Sequence, residues 1–171
     1  MRGRRVVIDL DEPALRANLA ACLNVQRWID GIVERAPYDS LAVLLSVART
    51  AADPLTVEEV SRALAQHPRI GDRPTGSGVE ADFSRREQSS ADAEDQELAA
   101  AMAEGNTAYE ARFGRVFLIR AAGRSRKDIL AELQRRLRLS EQEELTVVGE
   151  QLREIALLRA EDLFGQYRTN P

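Results

Sequence analysis

Apolar residues return every three or four positions along most of this chain, and the runs are bracketed by helix start and stop signals. Leu145, Val148, Leu152, Ile155, position 159 and Leu163 lie on one face of a single helix. Val25, Trp28, Ile29, Ile32 and Val33 repeat the pattern nearer the start, and Leu41, Val43, Leu44, Leu45, Val47 and Ala48 form another apolar run. Asp11 with Pro13 in the first turn, Asp39 or Ser40, Ser125 with Asp128, and the capping boxes Thr56-x-x-Glu59 and Ser140-x-x-Glu143 mark starts. Pro37, Asp53-Pro54 and Gly114 mark stops.

These signals predict helices over Asp11 to about Leu23 and Val25–Arg35, one capped by Asp39 or Ser40 and bounded by Asp53-Pro54, one opened by Thr56-x-x-Glu59 with Val57, Val60 and Leu64 facing inward, then one from near Ser84 to Phe113 (interrupted at Ser89–Asp92), Ser125 to about Leu139, and Ser140 to about Phe164. The fold class is all-α: one bundle of about seven to eight helices over residues 11–165, with tails at 1–10 and 166–171. Arg115–Gly123 is the strand-like exception in the second half.

The chain of 171 residues is long enough to bury a core without metals or disulfides. Its net charge of −4 argues against a general nucleic-acid or membrane-surface binder. Cys22 is the only cysteine and His67 the only histidine, so no Cys/His metal cluster is expected. No apolar run reaches membrane-spanning length, and Val6–Leu10 after the basic start is too short for a signal core. The expectation is a cytoplasmic protein.

One stretch departs from helical pattern. Gln66 to Gln88 holds His67, three glycines and two prolines, and reads as an active-site loop with a Gly/Pro/Arg composition. His67 ends a helix and enters this loop. It is either a proton donor and acceptor facing a cleft or an exposed histidine favoured by the helix dipole. Ser84-Arg85-Arg86-Glu87-Gln88 is a capping box that can also face a pocket. Arg69, Arg73, Arg85 and Arg86 suit an anionic small molecule, or form a solvated basic surface.

Two further features stand out. Arg159 falls on the core-facing stripe of the last helix, where a guanidinium needs a carboxylate partner, structural or from a substrate, unless it snorkels. An isolated extended run at Val116–Arg120 leaves backbone groups to be accounted for. Either Val6-Val7-Ile8 pairs with it, or backbone atoms around Ile119–Gly123 bind a ligand, with Gly123 permitting close approach.

His67-Pro68-Arg69-Ile70-Gly71, Ser84-x-x-Glu87-Gln88, Asn106-x-x-Tyr109-x-x-x-Phe113-Gly114-x-x-Phe117-x-Ile119 and Glu154-Ile155-x-x-x-Arg159 occur in that order over roughly residues 56–165. Together they resemble the OHCU decarboxylases (2-oxo-4-hydroxy-4-carboxy-5-ureidoimidazoline decarboxylases), which act late in urate breakdown. The resemblance implies an all-helical homodimer without metal or organic cofactor, acting on a small anionic purine-derived substrate. By motif match, His67 is the catalytic acid/base and Glu87 assists proton handling or orients the substrate. Pro68, Ser84, Arg85, Arg86, Gln88, Ile119, Arg120, Ala121, Ala122 and Gly123 line the substrate site, and Arg159 supports it or faces a carboxylate.

The chain departs from the family in two places: many members carry His-Pro-Asp/Glu-Leu at 67–70 and Cys-Ala at 120–121. The alternative function is a non-catalytic helical interaction module derived from this family, against which His67 and the full Ser-x-x-Glu-Gln motif argue. A helical nucleic-acid-binding regulator is disfavoured by the acidic charge.

Overall fold

The structure, a computed structural model, describes residues 8–70 and 96–167. Among the described residues are seven helices: α1 Glu12–Cys22, α2 Gln26–Val33, α3 Leu41–Ala51, α4 Val57–Leu64, α5 Gln96–Phe113, α6 Arg126–Arg136 and α7 Glu141–Gly165. The fold is all-α, as the periodicity predicts. The expected helix start at Ser84, its interruption at Ser89–Asp92, and loop residues 71–83 lie outside the described residues. None of the described helices is long and apolar enough to cross a membrane.

The start signals act through the bonds expected of them. Asp11 Oδ1 accepts from the Ala14 amide at 2.8 Å. Of the two candidates ahead of α3, Ser40 is the cap and takes the Val43 amide at 3.3 Å. Thr56 and Glu59 cap one another at 3.2 and 2.8 Å. Ser125 with Asp128 and Ser140 with Glu143 do the same. Each box satisfies amides that a helix start leaves without intrahelical partners. Gly114 ends α5 with φ +64°, a conformation that side chains disfavour. The α6 pattern runs to Leu139, but the helix proper stops at Arg136 because the last turn tightens into i→i+3 bonds, Arg138 to Arg135 and Leu139 to Arg136.

The chain divides into two compact units, Met1–Glu59 with Arg153–Pro171, and Val60–Leu152. In the first, α1 packs on α2 and α2 on α3. Trp28 is fully buried and its indole N–H donates to the Ala48 carbonyl at 2.9 Å. Tyr38 OH donates to the Ile32 carbonyl at 2.6 Å. Ile8 forms an antiparallel bridge with Tyr38 and is 3% exposed, so this part of the presumed N-terminal tail belongs to the core. The bridge also settles where the backbone of Ile8 goes: to Tyr38 and not to the run at 116–120; Val6 and Val7 lie outside the described residues.

In the second unit α5 packs on α6. Its core gathers Met102, Tyr109 and Phe113 from α5, Ile129 and Leu133 from α6, and Phe117, Ile119 and Ala121 from the segment between them. Tyr109 stacks edge-on to Phe117 with centroids 5.2 Å apart.

Candidate active site

His67 stands one turn past α4. Its amide donates to the Leu64 carbonyl at 3.0 Å, and its ring Nδ1 lies 2.9 Å from the Ala63 carbonyl oxygen. A carbonyl only accepts, so Nδ1 carries the hydrogen of the bond to Ala63. The helix end thereby selects the tautomer and the orientation of a half-buried ring, with Pro68 next to it also half-buried.

The residues that follow are tied to α5. Asn106 Nδ2 donates to the Ile70 carbonyl at 3.0 Å. Arg69 Nη2 donates to Thr107 Oγ1 at 3.1 Å, and Arg69 Nε lies 2.8 Å from Glu110 Oε1 as an ion pair without hydrogen-bond alignment. The charge of Arg69 is therefore matched by Glu110 within the protein. Arg73, Arg85 and Arg86 lie outside the described residues. Asn106 is 2% exposed, and among the described residues its Oδ1 has no hydrogen-bond partner.

The segment 116–123 forms no strand, and side chains account for much of its backbone. Arg136 Nη1 donates to the Leu118 carbonyl at 2.7 Å. The Arg120 amide donates to Gln151 Oε1 at 2.9 Å. The Arg124 amide closes a turn onto the Ala121 carbonyl at 3.0 Å, with Gly123 at φ +75°. The Arg120 guanidinium donates to the Ala122 carbonyl at 3.1 Å.

Arg136 is held in turn. It has no exposure, and its Nε donates to both Glu144 oxygens at 3.0 and 3.1 Å, with a further Nη2 bond to Oε1. Tyr109 OH donates to the same carboxylate. The guanidinium carbon sits 4.6 Å from the centroid of Phe117. Burial, and then the bond to Glu144, push the Tyr109 phenol well above its ordinary range.

Ile70, three residues past His67, packs against the apolar group that contains Ile119 and Ala121 of the 116–123 segment. Arg159 is 4% exposed on the buried face of α7, as its place on the stripe predicts. Burial pushes the Cys22 thiol up to about 12, with the charge of Arg159 opposing the rise. Ser84, Arg85, Arg86, Glu87 and Gln88 lie outside the described residues.

Arg136, Glu144 and Gln151 were not among the residues singled out in the sequence. The signal was present: Arg136 follows Ile129 and Leu133 on the apolar face of α6, and Glu144 and Gln151 flank Val148 on that of α7. It is the same pattern, a polar residue on an apolar stripe, that marked Arg159.

Three comparisons bear on kinship. The family model described as OHCU decarboxylase matches residues 9–161. The uric acid degradation bifunctional protein TTL of Arabidopsis thaliana is 34% identical over 115 residues, which cover 65% of this chain but only 35% of that protein's length. A crystal structure of OHCU decarboxylase in the presence of (S)-allantoin aligns with TM-score 0.68 at 22% identity, covering 85% of this chain and 96% of the other, and so shares its fold. With its all-helical architecture and a family match over nearly its whole length, the chain belongs to the OHCU decarboxylase family.

Proposed function

We propose that this protein decarboxylates 2-oxo-4-hydroxy-4-carboxy-5-ureidoimidazoline to (S)-allantoin, a carbon–carbon lyase reaction of urate breakdown that needs no cofactor. The observation that carries the reading is the family match over residues 9–161. The orientation of His67 supports it.

The substrate carries its carboxylate and a hydroxyl on ring carbon 4, beside the C=N bond at carbon 5, so it behaves as a β-imino acid. The bond to the carboxylate breaks, carbon dioxide leaves, and the electron pair forms a double bond between carbons 4 and 5 while the ring nitrogen takes up a proton. Protonation of carbon 5 and loss of the hydroxyl proton of the resulting enol then give the ring carbonyl of allantoin. The protein's task is to orient the carboxylate, stabilise charge on the enol oxygen and deliver a proton to one face. With Nδ1 committed to Ala63, the protonated His67 ring delivers its hydrogen from Nε2. Glu87 orients substrate or assists the proton transfer. Pro68, Ser84, Arg85, Arg86, Gln88 and Ile119–Gly123 line the site, and Arg159 faces or supports a carboxylate. A cytoplasmic homodimer is the assembly that accompanies this reading.

The test is allantoin formation from freshly generated substrate, followed by circular dichroism against the spontaneous rate. The wild-type chain is expected to accelerate the reaction and to yield one enantiomer. His67→Ala and His67→Asn are expected to lose both effects while far-UV dichroism stays helical. Turnover retained in these variants refutes the histidine role. A wild-type chain that fails to exceed the spontaneous rate refutes the activity.

A further inference from the structure

We infer that Gln151 is a positioning residue: by accepting the Arg120 amide it sets which backbone edge of the 117–123 segment is turned toward substrate. The inference rests on the decarboxylase reading above, in which Ile119–Gly123 of that segment line the site.

Two backbone groups of the segment are held by side chains, and they belong to residues two apart. The Leu118 carbonyl takes Arg136 Nη1 at 2.7 Å and the Arg120 amide gives to Gln151 Oε1 at 2.9 Å. In an extended chain the backbone groups of alternate residues point to the same edge. The Leu118 carbonyl and the Arg120 amide are therefore committed to side chains of α6 and α7, and in an extended run the N–H and C=O of Ile119 belong to the opposite edge. The turn at 121–124 pins the far end of the segment. Among the described residues no strand pairs with this segment. Two side chains supply the register that a ladder supplies elsewhere, so the segment's orientation depends on each of them.

Gln151 is the member that can be tested. Arg136 is locked into the core with Glu144 and Tyr109, and its loss threatens the fold. Gln151 makes its bond to the segment from the rim of the core, at 9% exposure. Gln151→Met keeps the length and removes the acceptor. Gln151→Glu keeps the acceptor.

In Gln151→Met the Arg120 amide is expected to exchange with solvent about tenfold faster, and kcat/KM to fall about tenfold with a lower enantiomeric excess of product, the scale of one lost hydrogen bond. The melting temperature is expected to stay within a few degrees of wild type. Gln151→Glu is expected to recover kcat/KM to within about threefold, because a carboxylate oxygen still accepts the amide. Unchanged turnover in Gln151→Met, or an equal loss in both variants, overturns the positioning role while leaving the decarboxylase reading intact. A wild-type chain with no acceleration overturns that reading and the positioning role with it.

Discussion

Arg136 and Glu144 form an ion pair in which neither side chain has any exposure to solvent. The carboxylate also accepts from Tyr109 OH, and the guanidinium reaches on to the Leu118 carbonyl. A buried charge without its partner is far more costly than an intact pair is stabilising.

Arg136→Met is accordingly expected to cost about 3–5 kcal/mol, because it strands the Glu144 carboxylate and the Leu118 carbonyl together. The double replacement Arg136→Met with Glu144→Leu is expected to cost less than the sum of the two single changes. Denaturant unfolding of the four proteins in the cycle gives the coupling. Strict additivity would mean that the two side chains do not stabilise one another.

Asn106 links α5 to the carbonyl that lies three residues past His67. Asn106→Leu leaves the Ile70 carbonyl without its donor and is expected to cost about 1–3 kcal/mol. On the proposed decarboxylase function, allantoin formation is expected to fall in the same variant, since the chain just past His67 loses a tether. Thr107→Ala, at an exposed position on the same helix, is expected to cost less than about 1 kcal/mol. Comparable losses at both positions would show that the bond to the Ile70 carbonyl is not what matters.

Cys22 is buried and its thiol is pushed up to about 12, first by desolvation. Only the thiolate reacts readily, so the folded protein at pH 8 is expected to resist alkylation by a factor of about a thousand relative to denatured chain. Mass spectrometry after timed exposure to iodoacetamide reads the ratio. Modification at the denatured rate would place the thiol at the surface.

The capping carboxylates link stability to pH. Asp128 is held below its ordinary value first by the Ser125 hydroxyl, and Glu143 first by the Ser140 amide. A depressed folded pKa means that the unfolded chain binds protons first as pH falls. The stabilisation is complete above the usual carboxylate range, near about pH 4, and is lost as pH drops through the lowered folded values. The combined Ser125→Ala and Ser140→Ala variant is expected to lose stability less steeply between about pH 5 and about pH 3 than wild type does. Denaturation midpoints across that range decide the matter, and identical slopes would refute the linkage.

Helix order and helix starts were readable from the chain because caps and periodicity are local. Thr56 with Glu59 and Ser140 with Glu143 act on amides three residues away, so their spacing carries the whole instruction. The tautomer of His67 is local too, set by a carbonyl four residues earlier. The burial of Arg159 followed from its register on one helix face. The family motifs added a reaction to these features.

Tertiary structure alone decided how the lone extended run is supported. Nothing near residues 116–123 in sequence announces that Arg136 and Gln151, 18 and 31 positions beyond the groups they hold, take the place of a neighbouring strand. The partnership of Arg69 with Glu110, and of Ile8 with Tyr38, is likewise a matter of what folding brings together. Helical periodicity states which face is buried, because each residue's direction depends only on its neighbours along the helix. It does not state what that face meets, because a buried polar group is satisfied by whichever partner packing delivers.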